Sequence, residues 1–336
     1  MAEEAMRETI LEVEDLTVRY EVDKQITRAV NHISFSLEKG KTIGMVGETG
    51  AGKTTTALSI LNMIPDPPGI IESGSIRVCG KDVLKLKQKE LSRIRGKDVS
   101  MIFQDPMTSL NPVQTVGDQI AESYLLHEDV SKTEAWEKAI QMLETVGIPG
   151  NRYGDYPHQF SGGMKQRVVI AIALACNPSL LIADEPTTAL DVTIQAQVID
   201  LMKQLQRQYG MSMIMITHDL GIVAEVCDEV AVMYAGRIVE QGTLEDIFHR
   251  TRHPYTEGLF NSLPNINARV DELTPIPGQM PDPTNLPPGC AFAPRCRYAT
   301  AACTEAVPES RVLSPTHRVA CRAYEDPGFH LDRRDR

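Results

Sequence analysis

One nine-residue stretch suggests nucleotide chemistry. It reads Gly47-Glu48-Thr49-Gly50-Ala51-Gly52-Lys53-Thr54-Thr55. Glycines let the backbone turn tightly so that its N–H groups face an anion, and a following helix directs its positive end to the same point. In such a loop Lys53 can bridge the β- and γ-phosphates, and the Thr54 hydroxyl can bind Mg²⁺. The stretch therefore predicts a nucleoside triphosphate site.

The context of this loop argues against a chance glycine-rich turn. The apolar run from Thr42 to Val46 has the length of a buried strand. The residues from Thr56 to Leu61 favour a helix start. Strand, glycine-rich turn and helix in this order are the setting in which the motif binds phosphate.

Three polar residues follow other apolar runs that predict core strands. Asp184 and Glu185 come after Leu180–Ala183, and His218 lies just beyond Met211–Ile216. Carboxylates at the end of a buried strand must be paired or coordinated. Asp184 is thus a candidate to hold Mg²⁺ through water, and Glu185 to polarise the attacking water. His218 is a candidate γ-phosphate contact, although a lone histidine also suits a surface position.

Two more strand ends carry candidate ligands. Gln104 ends a predicted strand, Val99–Phe103, before a segment from Asp105 to Pro112 that we expect to break regular structure. This position suits contact with a ligand and a moving partner, or a plain strand-end loop. Tyr20 closes the predicted strand Ile10–Val22 and either stacks on adenine or fills the sheet edge.

A second anion site is predicted at Ser161, Gly162 and Gly163. Ser161 is a natural helix N-cap, and the helix should run to Cys176. Two glycines in its first turn cost about 1 kcal/mol each, and close approach to a phosphate would explain them.

The preceding region is predicted to be an inserted helical subdomain, about residues 106–176. Residues 116–146 show a helical pattern, and Ser131 with Glu134 forms a capping box. Trp136 lies in an apolar stripe, which indicates core packing.

Length and charge limit the possible functions. A chain of 336 residues should hold about two domains, and its net charge of −11 argues against nucleic acid as the main partner. No apolar run approaches the ~20 residues needed to cross a bilayer, and the acidic N-terminus lacks the layout of a secretion signal. We therefore expect a cytoplasmic protein that reaches a membrane only through partner proteins.

Together the motifs resemble those of ABC-transporter ATPase subunits, from residue 10 to about residue 252. Gly47–Thr54 is similar to the Walker A loop, Leu180–Glu185 to Walker B, Gln104 to the Q-loop and His218 to the switch histidine. The resemblance implies an α/β P-loop NTPase (RecA-like) core with an antiparallel β subdomain and a helical subdomain, in a nucleotide-binding domain of residues 1–252. It implies ATP as the nucleotide and Gln104 as a further Mg²⁺ ligand.

Two remaining motifs imply a dimer. The signature motif is represented by Phe160-Ser161-Gly162-Gly163-Met164 and the D-loop by Ala189-Leu190-Asp191. The resemblance implies that two such subunits pack head to tail, so that the signature helix of one completes the ATP site of the other. The sequence departs from the commoner LSGGQ at Phe160 and Met164, and Met164 lacks the glutamine's side-chain donor.

Residues 253–336 resemble the C-terminal extension of oligopeptide and dipeptide importer ATPases, and the signature motif Phe160–Met164 is similar to that of the D-type subunit of this group. His253–Thr256 and the proline- and cysteine-rich segment after it carry this resemblance. It implies an ATP hydrolase that powers di- and oligopeptide uptake at the cytoplasmic face of the cell membrane. The implied partners are a second ATPase (a related F-type chain or a copy), two transmembrane permeases and, indirectly, an extracytoplasmic solute-binding protein.

Alternatives within and beyond that class remain open. Nickel, glutathione and antimicrobial-peptide importers use similar ATPases. A second alternative is a soluble ABC ATPase of another class, such as one that serves DNA repair or cluster assembly. DNA-repair members carry long coiled coils, and the sequence shows none. A non-catalytic nucleotide-binding module is disfavoured because Lys53, Glu185 and His218 are all present.

Four cysteines in the last fifth of the chain predict a metal site, since a cytoplasmic protein favours metal over disulfides. Between Cys290, Cys296, Cys303 and Cys321 lie five, six and seventeen residues. Structural zinc sites usually pair cysteines with two to four residues between them, so this spacing suits a four-cysteine iron–sulfur cluster better. The resemblance also points to a 4Fe–4S cluster. Zinc is the alternative, and four unligated thiols the simplest explanation.

Overall fold

Twelve β-strands run through the part of the chain that the computed structural model describes, which is residues 8–188, 190–262, 275–326 and 328–331. In chain order they are β1 (Thr9–Val22), β2 (Gln25–Glu38), β3 (Thr42–Val46), β4 (Gly69–Val78), β5 (Lys81–Asp82), β6 (Val99–Ile102), β7 (Leu180–Asp184), β8 (Ser212–Ile216), β9 (Glu229–Tyr234), β10 (Arg237–Thr243), β11 (Arg311–Ser314) and β12 (His317–Val319).

The described α-helices lie between these strands along the chain, singly or in runs. They are α1 (Lys53–Ile60), α2 (Gln88–Ile94), α3 (Pro106–Ser109), α4 (Val116–His127), α5 (Lys132–Thr145), α6 (Gly162–Leu174), α7 (Val192–Tyr209), α8 (Leu220–Val226), α9 (Leu244–His249), α10 (Pro254–Asn261) and α11 (Ala302–Glu305). None of them is both long enough and apolar enough to cross a bilayer.

The larger sheet forms the centre of the core. Its strand order is β11-β12-β10-β9-β3-β8-β7-β6, and the strands from β9 to β6 are parallel. Every residue of β3, β7 and β8 is buried. Near-continuous apolar runs are typical of parallel strands covered on both faces. The predicted core strands are confirmed, and a hairpin between β9 and β10 turns at Ala235 and Gly236.

The smaller sheet is antiparallel, in the order β2-β1-β4-β5. It is the predicted antiparallel β subdomain, and it places Tyr20 near the end of β1, opposite Thr27 and Gly69. Together the two sheets and the helices give the α/β architecture predicted from the motifs.

The helical subdomain differs from the predictions in three details. The expected helical stretch is two helices, α4 and α5, and Ser131 caps the second with the predicted capping box. The prediction that Trp136 packs in the core is wrong. Its side chain is 48% exposed and meets the ring of Tyr153 edge-on, at 5.1 Å between ring centroids. The segment from Asp105 to Pro112, expected to be irregular, contains one helical turn, α3.

The residues beyond Arg252 continue the core. Strand β12 pairs with β10, with Val319 opposite Glu240, so the C-terminal residues extend the larger sheet. Tyr255, Phe260 and Phe292 are buried in the same hydrophobic cluster as the parallel strands. The boundary near residue 252 stays a prediction, but this tail gains stability from the core it packs on.

Candidate functional site

The phosphate-binding loop joins β3 to α1. The helix begins at Lys53, and Gly52 caps it with a left-handed backbone. A Cβ atom on Gly47 would lie 2.2 Å from the Met233 carbonyl oxygen. A Cβ on Gly52 would lie 2.4 Å from the Ala29 carbonyl oxygen. Both positions have positive φ, so the turn requires glycine at each.

Lys53 lies inside this loop. Its ammonium donates hydrogen bonds to the carbonyl oxygens of Gly47, at 2.7 Å, and Glu48, at 3.1 Å. Burial lowers the pKa of Lys53, while the carboxylates of Glu185, Asp184 and Glu48 act in the opposite direction. The loop therefore holds one buried cation at the point where phosphate charge is expected.

Asp184 and Thr54 form the candidate magnesium pair. Asp184 ends β7, is 2% exposed and accepts a hydrogen bond from the Thr54 side chain. Burial raises the pKa of Asp184, and the Thr54 hydrogen bond and Lys53 oppose that shift. A carboxylate and a hydroxyl at the mouth of a phosphate loop are oxygen donors of the kind that Mg²⁺ prefers.

Glu185 is held by groups from three strand ends. Gln104, after β6, donates from Nε2 to Glu185 Oε2 at 2.9 Å. The Thr188 hydroxyl donates to the same oxygen at 3.0 Å, and His218 Nδ1, beyond β8, lies 3.5 Å from Oε1. Glu185 itself has φ of 47°, a conformation that non-glycine residues adopt at a cost. The arrangement holds a carboxylate in one orientation at the edge of the site.

Most of the residues predicted to bind nucleotide line one open pocket. Its lining is Tyr20, Thr27, Ala29, Thr49, Gly50, Gly52, Lys53, Thr54, Thr55, Gln104, Glu185, His218 and Pro283. Thr27, Ala29 and Pro283 were not predicted, because no motif marks them. Gln104 points to Glu185, and its predicted role as a magnesium ligand stays a prediction.

We expect Tyr20→Ala to weaken ATP and GTP binding equally, by about 1–3 kcal/mol. Stacking contacts the face of the base, which adenine and guanine share, and forms no hydrogen bond with the edge that distinguishes them. Titration of each nucleotide would measure this, and Tyr20→Phe should bind like the wild type. Unchanged affinity in the alanine variant would instead assign Tyr20 to the sheet edge.

The signature residues lie outside this pocket, as judged from its described lining. Ser161 caps α6 by accepting a hydrogen bond from the Met164 N–H, as predicted, and both Ser161 and Gly162 are exposed. The helix ends at Leu174, two residues before the predicted end. Asp191 is exposed and caps α7, while Ala189 lies outside the described residues. Because Ser161 and Gly162 at the start of α6 are exposed, this end of the helix is accessible to a ligand that another molecule holds.

The four C-terminal cysteines surround one small apolar cavity, next to His253 and Phe292. All four are free thiols, and burial raises the pKa of Cys290, of Cys296 to about 11 and of Cys321 to about 12. Within the described ranges, no three Cys, His, Asp or Glu side chains are arranged to hold a metal ion. The four cysteines thus lie around one cavity, but their arrangement does not support the predicted cluster, which stays a prediction.

Two family models match the chain. The model described as ABC transporter matches residues 30–188, which include the phosphate loop and the acid pair. The model described as oligopeptide/dipeptide transporter, C-terminal region, matches residues 239–303, which include three of the four clustered cysteines.

Curated relatives match over nearly the full chain. The oligopeptide transport ATP-binding protein OppD of Bacillus subtilis is 53% identical over 313 residues, covering 92% of this chain and 87% of the relative. The dipeptide transport ATP-binding protein DppD of the same organism is 50% identical over 325 residues, covering 96% and 97%.

Solved structures show the same fold for the core. A dimeric post-hydrolysis ATP-binding cassette, MJ0796 with ADP and Pi, has a TM-score of 0.63 at 24% identity, covering 70% of this chain and 98% of that one. The cbiO1 protein of Clostridium perfringens, part of an ABC transporter complex, has a TM-score of 0.61 at 28% identity, covering 72% and 91%.

Proposed function

Since the chain belongs to the ABC transporter family of ATP hydrolases, we propose that it powers the uptake of di- and oligopeptides across the cytoplasmic membrane. The observation that carries this proposal is the single pocket that joins Lys53, Glu185 and His218. The C-terminal match and the names of the relatives support peptides as the cargo.

The proposed mechanism assigns one task to each residue. When ATP binds, the Lys53 ammonium replaces its hydrogen bonds to the carbonyl oxygens of Gly47 and Glu48 with contacts to the β- and γ-phosphate oxygens. Glu185, oriented by Gln104 and Thr188, accepts the proton of the attacking water, and His218 contacts the γ-phosphate. Because Gln104 contacts Glu185 directly, movement of the segment after β6 would change the orientation of the carboxylate. This contact supports Gln104 as the residue that couples a permease to hydrolysis.

Mg²⁺ fits the donors present. Thr54, Asp184 and Gln104 would hold it, and when bound it neutralises charge on the phosphate oxygens. The Thr54–Asp184 hydrogen bond already brings two of these donors together.

The proposed assembly places the chain on the cytoplasmic face of the membrane. Two ATPase subunits pair head to tail, so that Ser161, Gly162, Gly163 and Asp191 of each reach the nucleotide of the other. The exposed start of α6 supports this arrangement. The second ATPase is a related F-type chain or a copy, and the pair binds two permeases that receive peptide from a solute-binding protein.

Reconstitution with co-purified membrane partners tests the proposal. We expect peptide-loaded binding protein to stimulate ATP hydrolysis, while nickel and glutathione leave it unchanged. Stimulation by nickel or glutathione alone would reassign the cargo. The absence of membrane partners would favour a soluble ABC ATPase.

We further propose that Cys290, Cys296, Cys303 and Cys321 hold a 4Fe–4S cluster, with zinc as the alternative. Their grouping around one cavity supports this, and a cluster requires four thiolates in place of the buried thiols. When bound, it would cross-link the tail, a structural role that small segments with little core of their own require.

Anaerobic purification is expected to give a brown protein with about four iron and four sulfide per chain. Visible spectra with iron and sulfide assays measure this. Cys303→Ser should then lose colour and destabilise the tail, while the phosphate-binding loop in the core stays formed. A colourless protein that contains one zinc would support zinc, and one without metal would leave four free thiols.

A further inference from the structure

The C-terminal tail contacts the phosphate-binding loop at Glu48. The backbone N–H of Glu48 donates a hydrogen bond to the Tyr255 hydroxyl at 2.9 Å. Arg295 Nη1 lies 2.9 Å from Glu48 Oε2, which forms an ion pair. Two side chains from beyond residue 252 therefore hold the second residue of the loop.

Arg295 is firmly placed. Its side chain is 7% exposed, and its Nε donates to the Pro277 carbonyl oxygen at 2.8 Å. Nη1 also donates to the Tyr234 hydroxyl at 3.2 Å. These hydrogen bonds fix the position of the guanidinium. The ion pair therefore holds the Glu48 carboxylate on the side of the loop that faces the tail.

The tail contacts the nucleotide pocket at two further points. Met280 packs over Gly50, since a Cβ there would lie 2.9 Å from its Cε. Pro283 lines the pocket beside Tyr20, and its carbonyl oxygen accepts a hydrogen bond from the Arg28 N–H at 3.0 Å. The tail thus forms one wall of the site.

The negative charge of the Glu48 carboxylate opposes phosphate binding. The backbone carbonyl of the same residue binds Lys53, and its carboxylate is among the charges that act on Lys53. An unpaired carboxylate so close to the loop would repel a triphosphate.

We propose that Arg295 is a positioning residue for the nucleotide: it neutralises Glu48 and keeps that carboxylate away from the phosphates. The inference rests on the proposed function of the pocket as an ATP site. It makes the tail a part of that site, in addition to any metal it holds.

A double-mutant cycle measured by equilibrium ATP binding tests the proposal. Arg295→Gln should weaken ATP binding by about tenfold at low salt, and high salt should reduce that loss. In the Glu48→Gln background the same change should have no effect, because no carboxylate remains to be neutralised. Arg297→Gln is the matched control, since Arg297 pairs with Glu257 at 2.7 Å in the same segment.

The outcomes separate this inference from the proposed function. Equal loss of affinity in both backgrounds, or no loss in either, would overturn the role of Arg295. If Arg295→Gln does not fold, the neutral Arg295→Met in the two Glu48 backgrounds gives the same comparison, because it also removes the charge. A wild-type chain that binds no ATP would instead reject the proposed function itself.

Discussion

Glu185→Gln is expected to lower steady-state ATP hydrolysis by about 10²–10⁴-fold, the contribution of a positioned general base. Glutamine has nearly the same shape, and its amide oxygen can still accept the hydrogen bonds that Gln104 and Thr188 donate to the carboxylate. It cannot accept the proton of the attacking water. ATP binding should therefore persist, and the proposed dimer should accumulate in its closed form.

Phosphate release and nucleotide titration, measured on the same preparation, separate these effects. Glu137→Gln is a suitable control for charge, because Glu137 is exposed on α5 and outside the described pocket lining. Turnover within a few-fold of wild type in Glu185→Gln would remove Glu185 from the chemistry.

Lys53→Ala is expected to abolish ATP binding at accessible concentrations, and with it hydrolysis. A hydrogen bond to a charged group contributes about 1.5–3 kcal/mol, and this lysine would form two such contacts with phosphate oxygens. Lys53 is the only lysine or arginine among the described residues that line the pocket, so the variant would leave the phosphate charge without a balancing cation. Titration calorimetry measures the loss.

The exposed Lys89 on α2 provides the control, since Lys89→Ala removes an equal charge far along the chain from the loop. Circular dichroism must show that Lys53→Ala is folded, because Gly47 and Glu48 lose a donor to their carbonyls. Affinity equal to wild type in a folded variant would contradict the role of Lys53.

The catalytic edge could be predicted because its residues follow core strands. Gln104, Glu185 and His218 are far apart in sequence, but each comes just after a parallel strand. The carboxyl ends of such strands share one edge of the sheet, where ligands bind. The structure places the three side chains in contact around Glu185 for this reason.

The opposite wall of the pocket could not be predicted. Thr27 and Ala29 lie on β2 in the other sheet, and Pro283 lies more than 250 residues further along the chain. Such contacts depend on how the tail packs on the core, and no local pattern encodes that packing. Arg295, one residue before Cys296, gave no signal for the same reason.

Trp136 shows a limit of periodicity. The helical spacing predicts that Trp136 shares the buried face of α5 with Ala139 and Leu143. In the structure the buried residue in that turn is Ala135, the neighbour of Trp136. A small residue fits where α5 packs closely, so the large indole lies at the surface against Tyr153.

ATP-driven peptide uptake into proteoliposomes tests the central claim most directly. The vesicles contain this chain with its co-purified partners, and peptide-loaded binding protein is supplied on the opposite side from ATP. We predict uptake with ATP, none with a non-hydrolysable analogue, and none when the chain carries Glu185→Gln. Peptide uptake that continues without ATP, or at an unchanged rate with Glu185→Gln, would contradict the account.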